Sequence, residues 1–420
     1  MLIRRLIVLC VASSAMVSAQ TAPPPSSIPI RKLSAPTGVT KEIVRLPSGM
    51  YQFNDGRLIV NDALGKRLIV FDSTLATFTV SADSNGTGTT LYPPGFGVTT
   101  LFRYPGDSVV FPDAKSQAFI MIGPDGKLGR AFAHPKPRDM SSLSLGYAGS
   151  PGFDPKGRFF YRAVGGVPPR PATPGSAPPP ARTPDSSALV RADFDSRALD
   201  TIAVITLPPP PSSTHITRDD DGKRHATTIV NPILQAPDEW AVLTDGTVAI
   251  VRPQDYHIDW ISPDGKLTST PKMAFDWRRI TDEDKQARVD SVKRVIDSLS
   301  HTDHPYGMAF GPGAGGRIDT ITPSVQFVPF SQMPDYFPPF RAGNVRADRD
   351  NLVWILPSTT LSASGGGLLY DVVSERGGIV ERVQLPPGRI IGGFGPGGVV
   401  YLLNGNRDKG FTIEKTHIVR

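Results

Sequence analysis

An all-β chain made of a repeated four-stranded unit is what this sequence predicts, and three observations predict it. The first is a phrase that occurs twice: Ile122-Gly123-Pro124-Asp125-Gly126-Lys127-Leu128 returns as Ile261-Ser262-Pro263-Asp264-Gly265-Lys266-Leu267. Each copy leaves one apolar run and enters another extended stretch. Pro presets φ for the first turn position and Gly takes φ > 0, so each copy reads as a tight turn between two strands. The second observation is spacing. Turns at positions 56, 107, 157, 246, 351 and 398 are separated by 51, 50, 89, 105 and 47 residues, three intervals near one period and two enlarged by insertions. The third is the short apolar strand after each turn, as in Leu58-Ile59-Val60, Val109-Val110-Phe111, Val248-Ala249-Ile250-Val251 and Val399-Val400-Tyr401-Leu402. Four strands in roughly 40–50 residues is the period of propeller blades. The expected architecture is a six-bladed β-propeller of four-stranded antiparallel blades, with one inserted helix and Pro-rich loops on one face.

Taken in order, residues 1–19 read as a secretory signal peptide. Arg4 and Arg5 precede an apolar stretch from Leu6 to Val17, and Val17-Ser18-Ala19 offers a small-residue cleavage site. Residues 20–38 are Pro- and Ser-rich and read as a flexible tether. The propeller is expected over 39–420. Residues 39–46 make a spare strand ahead of the first unit, while the sixth unit lacks a clear fourth strand before Arg420. The spare strand is therefore expected to complete the last blade and close the ring, which removes a sheet edge. A Pro-rich loop occupies about 165–186. A helical insertion is expected at about 276–302, where Val289, Val292, Ile296 and Leu299 form one stripe and Thr281 with Asp284 form a capping-box-like start. That stripe is expected to pack on the ring.

Composition excludes several classes of function. The sole cysteine, Cys10, lies inside the signal segment, so the mature chain has neither a disulfide nor a thiolate site. Setting aside Arg4 and Arg5 leaves 43 basic and 39 acidic residues, a formal +4, with the signs interleaved. No nucleic-acid motif accompanies them, and no later apolar run reaches the ~18 residues of a membrane span. The expectation is an exported monomer, periplasmic or secreted, with no nucleic-acid partner and no membrane span.

Connectivity locates the site. In a four-stranded meander, first and third turns open on one face of the ring, while second turns and blade-to-blade crossings open on the other. Here first and third turns are short, and the long segments 165–186, 208–238, 272–343 and 358–367 all belong to the second class. Insertions gathered on one face mark it as the binding face. The densest cluster of aromatic and basic residues within them is Trp277, Arg279, Tyr336, Phe337, Phe340 and Arg341, with Arg346 and Arg103 on innermost strands near the channel. Aromatic walls with a few cations suit an anionic or sugar-like ligand, or a partner's peptide. The same aromatics equally suit a seal between the helix and the fifth unit.

The stretches Val345-Arg346-Ala347-Asp348-Arg349-Asp350-Asn351-Leu352-Val353-Trp354-Ile355 and Gly152-Phe153-Asp154-Pro155-Lys156-Gly157-Arg158-Phe159-Phe160-Tyr161 resemble the NHL-type six-bladed propeller repeat. Asn351 stands where that repeat usually has Gly, a tolerable exchange because Asn also visits φ > 0. Pro334-Asp335-Tyr336-Phe337-Pro338-Pro339-Phe340 is similar to a segment of exported bacterial six-bladed propellers, many of unassigned function. The resemblance spans about 39–420. Its motifs are turns, so it implies a fold and is nearly silent on activity.

Other signals fail. Gly311–Gly316 and Gly393–Gly398 match G-x-G-x-x-G, but strand-like residues follow both where a dinucleotide site needs a helix N-terminus. Asp219-Asp220-Asp221-Gly222 lacks the ligand spacing of a calcium loop, and His301-Thr302-Asp303-His304 lacks a zinc motif. Gly149-Ser150-Pro151-Gly152 does not fit a nucleophile elbow. No cofactor is expected. The leading expectation is a non-enzymatic propeller that binds an unidentified ligand or envelope protein. One alternative is a metal-dependent enzyme resembling streptogramin-lyase-like or lactonase-like propellers, which need metal-fixing groups at the channel mouth. Here the innermost strands offer few such groups, and Asp154 and Asp348 read as turn residues. A second alternative is a structural envelope protein. If the signal segment is processed as expected, N-terminal sequencing of exported protein should begin at Gln20; an N-terminus retaining Met1 would refute the export reading.

Overall fold

The computed structural model describes residues 28–84, 92, 100–113, 116–144, 149–163, 186–208, 212–218, 224–233, 235–300, 321–359, 366–376 and 378–420. The signal segment, most of the Pro-rich loop, and the Asp219–Gly222, His301–His304 and Gly311–Gly316 motifs lie outside these residues.

Seven sheets form among the described residues, and six of them are antiparallel meanders that follow one another along the chain. Sheet I comprises Pro47–Gln52, Leu58–Asp62, Arg67–Phe71 and Phe78–Asp83; sheet II comprises Phe102–Tyr104, Ser108–Asp113, Ala118–Ile122 and Leu128–Ala133. Sheet III comprises Gly152–Phe153, Phe159–Arg162, Ser186–Ala192 and Leu199–Thr206; sheet IV comprises Glu239–Val242, Val248–Arg252, His257–Ile261 and Leu267–Ser269. Sheet V comprises Phe340–Ala347, Val353–Pro357, Leu369–Ser374 and Gly378–Gln384; sheet VI comprises Arg389–Phe394, Val399–Asn406 and Gly410–His417.

Alternation along each strand sends apolar side chains to both sheet faces, and those faces pack against the neighbouring sheets. Phe53 and Phe111 fill the core between I and II, Phe119 and Phe159 that between II and III, and Trp240 with Phe160 that between III and IV. Tyr256, Trp260 and Phe340 lie between IV and V, Trp354 and Tyr370 between V and VI, and Tyr401 with Phe71 between VI and I. The last core returns to the first sheet, so the stack closes on itself as a β-propeller. The first strand of each sheet is innermost. Arg346 Nη1 joins two of these strands by donating to the Ile391 carbonyl at 2.8 Å.

The N-terminal segment closes sheet VI, as the strand count required. Gly38 and Val39 pair antiparallel with Lys415 and Glu414, and bridges Leu33–Ile418 and Val44–Phe411 flank them. The tether expected at 20–38 is corrected at its end: Ile30–Lys32 is a strand, paired in parallel with Arg382–Gln384 as a fifth strand of sheet V.

The turns behave as their residues dictate. Asn351 adopts φ 62°, the left-handed region that Gly usually fills, and its Oδ1 accepts hydrogen bonds from the Thr244 and Asp245 backbone N–H groups. Asp107 accepts from the Asn54 N–H, and Asp350 from those of Gly397 and Gly398. These bonds lace neighbouring sheets together on the face of first and third turns, called here the turn face.

The opposite, insertion face carries the seventh sheet. Ser212–Arg218 pairs antiparallel with Arg224–Val230, which pairs in parallel with Ile321–Phe327 from the next crossing. Helix α1 (Asp282–Ser300) begins with a reciprocal capping box: Asp284 N–H donates to Thr281 Oγ1, and Thr281 N–H to Asp284 Oδ2, each at 3.2 Å. Of its stripe, Val289 does not pack on the ring as the sequence suggested. It packs instead on Ile233, Ile280 and Met333, in a core that belongs to the two insertions. No helix among the described residues is long and apolar enough to cross a membrane.

One carboxyl ties three sheets on the insertion side. Glu239, only 1% exposed, accepts from the N–H of Gly149 ahead of sheet III at 2.8 Å and from that of Gly343 in sheet V at 2.9 Å. Gly149 is held at φ 95° against the Trp240 indole, where a Cβ would fall 2.0 Å from Nε1. Burial raises the Glu239 pKa to about 7 despite the two N–H donors and the nearby Arg162. The folded carboxyl keeps its proton to higher pH than the unfolded one, so its stabilising contribution is complete below about pH 4.5 and is lost as pH rises to about 7. Glu239→Gln is therefore expected to flatten the decline in unfolding free energy across that window, by an amount on the order of 3 kcal/mol. Denaturant titrations at several pH values check this, and parallel profiles for the two proteins would refute it.

Candidate functional site

The second insertion returns to the ring through two extended segments that run antiparallel. Ile280 N–H donates to the Asp335 carbonyl at 2.8 Å and Phe337 N–H to the Arg278 carbonyl at 3.0 Å, on either side of an Arg279–Tyr336 bridge. Successive residues of such a segment point to opposite sides. Ile280 is 2% exposed in the insertion core, so Arg278 shares its side while Trp277 and Arg279 face the other way. A cavity of about 300 Å³ opens on the Arg278 side, between α1, the start of sheet V and the Ser358–Thr359 loop.

Ile233, Ile280 and Phe337 supply its apolar floor, and Arg278, Arg288 and Arg341 its cationic rim. Asp284 is the one acidic residue among those lining it. The Arg278 guanidinium stacks 4.7 Å from the Phe337 ring centroid, and its Nη2 lies 3.5 Å from Asp284 Oδ1. Behind them Lys285, 5% exposed, donates from Nζ to the Phe330 carbonyl at 3.1 Å and lies 3.3 Å from Asp335 Oδ1, so its charge is committed to holding α1 in place. Arg288 and Arg341 are exposed, and neither side chain makes a hydrogen bond or ion pair among the described residues.

Of the residues singled out from sequence, Phe337 and Arg341 meet at this cleft. Trp277, Arg279 and Tyr336 lie outside its lining; Trp277 packs edge-on to Phe275 and is 41% exposed, and Tyr336 is 50% exposed. Phe340 is corrected outright. It is fully buried in the core between sheets IV and V, beside Tyr256, and presents nothing to a surface ligand. Arg346 is spent on the channel wall through the Ile391 carbonyl. Arg103 lies at the other end of the channel, where its Nη2 donates to the Thr244 carbonyl at 2.6 Å.

Arg278 and Arg288 were not carried into the site expected from sequence. Residues 277–280 are extended rather than part of the helix expected from about 276, and that parity puts Arg278 on the Ile280 side; the position of Arg288 one turn after Asp284, next to the buried Val289, marks its face of α1. Glu239 carries no local signal, because its partners are backbone groups far along the chain.

Asp154 and Asp348 are turn residues, as read. Asp154 Oδ1 accepts from the Lys156 and Arg158 N–H groups, and Asp348 Oδ1 from those of Asp350 and Leu352. Asp348 Oδ2 accepts from the buried Trp354 indole at 2.8 Å. No group of three or more His, Cys, Asp or Glu gathers at one point among the described residues.

No family model matches the chain, and no curated protein matches it. Among solved structures it is similar to virginiamycin B lyase from Staphylococcus aureus, with a TM-score of 0.38 at 10% identity over 93% of this chain and 100% of that one. It is also similar to a gluconolactonase from Xanthomonas campestris, with a TM-score of 0.34 at 13% identity over 92% and 88% of the two chains. For the calcium-binding protein regucalcin from Agrobacterium tumefaciens the TM-score is 0.37 at 11% identity over 93% and 96%. Likenesses this distant say nothing of what this chain binds or catalyses, and the propeller assignment rests on its own sheets and cores.

Proposed function

We propose that this protein is an exported six-bladed propeller of NHL-like turn pattern that binds an anionic organic ligand in the cleft of its insertion face. The observation that carries the reading is the pair of uncommitted guanidiniums, Arg288 and Arg341, beside an aromatic floor. A third arginine there, Arg278, is partly offset by Asp284. Arginine forks match carboxylate and phosphate oxygens two at a time, and such charge-assisted bonds are about twice as strong as neutral ones. The apolar floor of Ile233, Ile280 and Phe337 supports a ligand with a hydrophobic or flat portion next to its charge. Binding without chemistry is favoured because the cleft gathers cations and apolar surface but no nucleophile paired with a base. Glu239, the perturbed carboxyl of the channel, has both oxygens filled by backbone N–H groups. A metal-dependent hydrolase or lyase draws no specific support from the described residues.

The test is thermal unfolding and calorimetric titration of the mature chain with acidic sugars, aryl carboxylates, sugar phosphates and acidic peptides. A ligand at about 100 times its dissociation constant should add about 2.7 kcal/mol of stability. Arg341→Ala and Arg288→Ala should each weaken that ligand by about tenfold while leaving unliganded stability unchanged. A ligand that binds both variants as well as the parent would remove the cleft from the reading. Loss of stability in chelator, restored by a divalent cation, would replace the reading with the metal-dependent one.

A further inference from the structure

The turn face holds a second basic site, at the other mouth of the channel. Arg103 extends from the innermost strand of sheet II to the Thr244 carbonyl in sheet IV at 2.6 Å. Arg349 extends from the first turn of sheet V to the Gln52 carbonyl in sheet I at 3.2 Å, and its guanidinium lies 4.6 Å from the Tyr51 ring centroid. Each bond skips a sheet, III in the first case and VI in the second. The two side chains therefore cross the opening as chords, whereas the other turn-face bonds run along its rim.

Both arginines are half-buried, and neither has a carboxylate within ion-pair distance among the described residues. Charges withdrawn from water are ordinarily paired. The acids of the rim are otherwise engaged. Asp107 accepts from the Tyr51 hydroxyl and the Asn54 N–H, Asp154 from the Arg158 side chain, and Asp350 from the Gly397 and Gly398 N–H groups. Asp245 is exposed and accepts from the Thr247 N–H. Burial, and after it the nearby charge of Arg349, lowers the Arg103 pKa from its ordinary value, against the opposing influence of Tyr51, Asp245 and Asp154. The two like charges thus act on each other in a partly dry opening, and even with the Tyr51 hydroxyl counted among the partners of Arg349, each keeps N–H donors unused.

We infer that this mouth binds a small tetrahedral oxyanion of the phosphate or sulfate type, bridging Arg103 and Arg349 beside the Tyr51 ring. A dianion would neutralise both guanidiniums at once, and its several oxygens would take the unused donors of two forks. The short turns around the opening restrict it to a small ion or a terminal group. An ion so placed would join side chains anchored in sheets I, II, IV and V, so it should raise the stability of the ring without any catalytic readout.

The test is calorimetric titration and thermal unfolding of the mature chain with inorganic phosphate and with sulfate, against chloride at matched ionic strength. Phosphate or sulfate should raise Tm beyond chloride, and Arg103→Gln or Arg349→Gln should weaken binding by about tenfold or more. Arg349→Lys guards against a folding defect, because it keeps the charge and loses the fork; it should bind more weakly than the parent and better than the Gln variant. Arg341→Ala, at the opposite cleft, should bind as the parent does. Phosphate and sulfate effects no larger than chloride's would overturn the inference. So would binding lost in Arg341→Ala but kept in Arg349→Gln, which would place the anion in the cleft.

Discussion

The fold depends on main-chain pairing between the two ends of the described chain. Five of the six seams of the ring are crossed by the chain itself as one meander leads to the next. The seam between sheets VI and I has no such crossing in sequence order. It is covalently bridged only because residues 33–44 lie against Gly410–Ile418 before the chain enters sheet I. Without that pairing, the Val44, Tyr401 and Phe71 core would hold two free sheet faces together by side-chain packing alone. The same segment reaches further than closure needs, since Ile30–Lys32 pairs with sheet V. It thereby ties the last two sheets together on their outer side, where Arg31 and Arg420 both approach Glu381.

Closure of the ring determines what each face can become. On the turn face the described first and third turns are short and several of their carboxylates bond backbone groups of the same or the neighbouring turn, while Arg103 and Arg349 reach across the central opening. On the insertion face the crossings are free to lengthen, and two of them combine into a separate layer with its own core. The cleft forms where that layer meets sheet V, so its walls come from parts of the chain that are rigid for different reasons. Arg341 is positioned by the start of sheet V, Arg288 by a capped helix, and Phe337 by pairing with the Arg278 segment.

Much of the ring was legible in the sequence because turn chemistry is local. A Pro-Asp-Gly or Asp-x-x-Asn sequence dictates its conformation whatever surrounds it, and strand parity then assigns each loop to a face. Parity also explains the near misses. Trp277 and Arg279 stand one residue either side of Arg278, and a one-residue shift in an extended segment exchanges its two sides. Phe340 looked like part of an exposed aromatic run, yet it begins the innermost strand of sheet V, where its side is the inter-sheet core. What sequence could not disclose was long-range pairing. The parallel match of Arg224–Val230 with Ile321–Phe327, the Glu239 tie and the Arg103 and Arg349 chords each join residues about ninety or more positions apart.

That parallel pairing has a consequence for synthesis. At the ~5–20 residues per second of translation, the hairpin Ser212–Val230 emerges several seconds before the strand that completes its sheet. During that interval the edge later covered by Ile321–Phe327 exposes a full row of unpaired N–H and C=O groups. Its residues are mostly Thr, Ala, His, Ile and Val, a composition prone to pairing with whatever strand is nearest. The nascent chain thus carries a transient adhesive edge that the finished molecule conceals, and the length of chain between Val230 and Ile321, sheet IV included, sets how long it stays open.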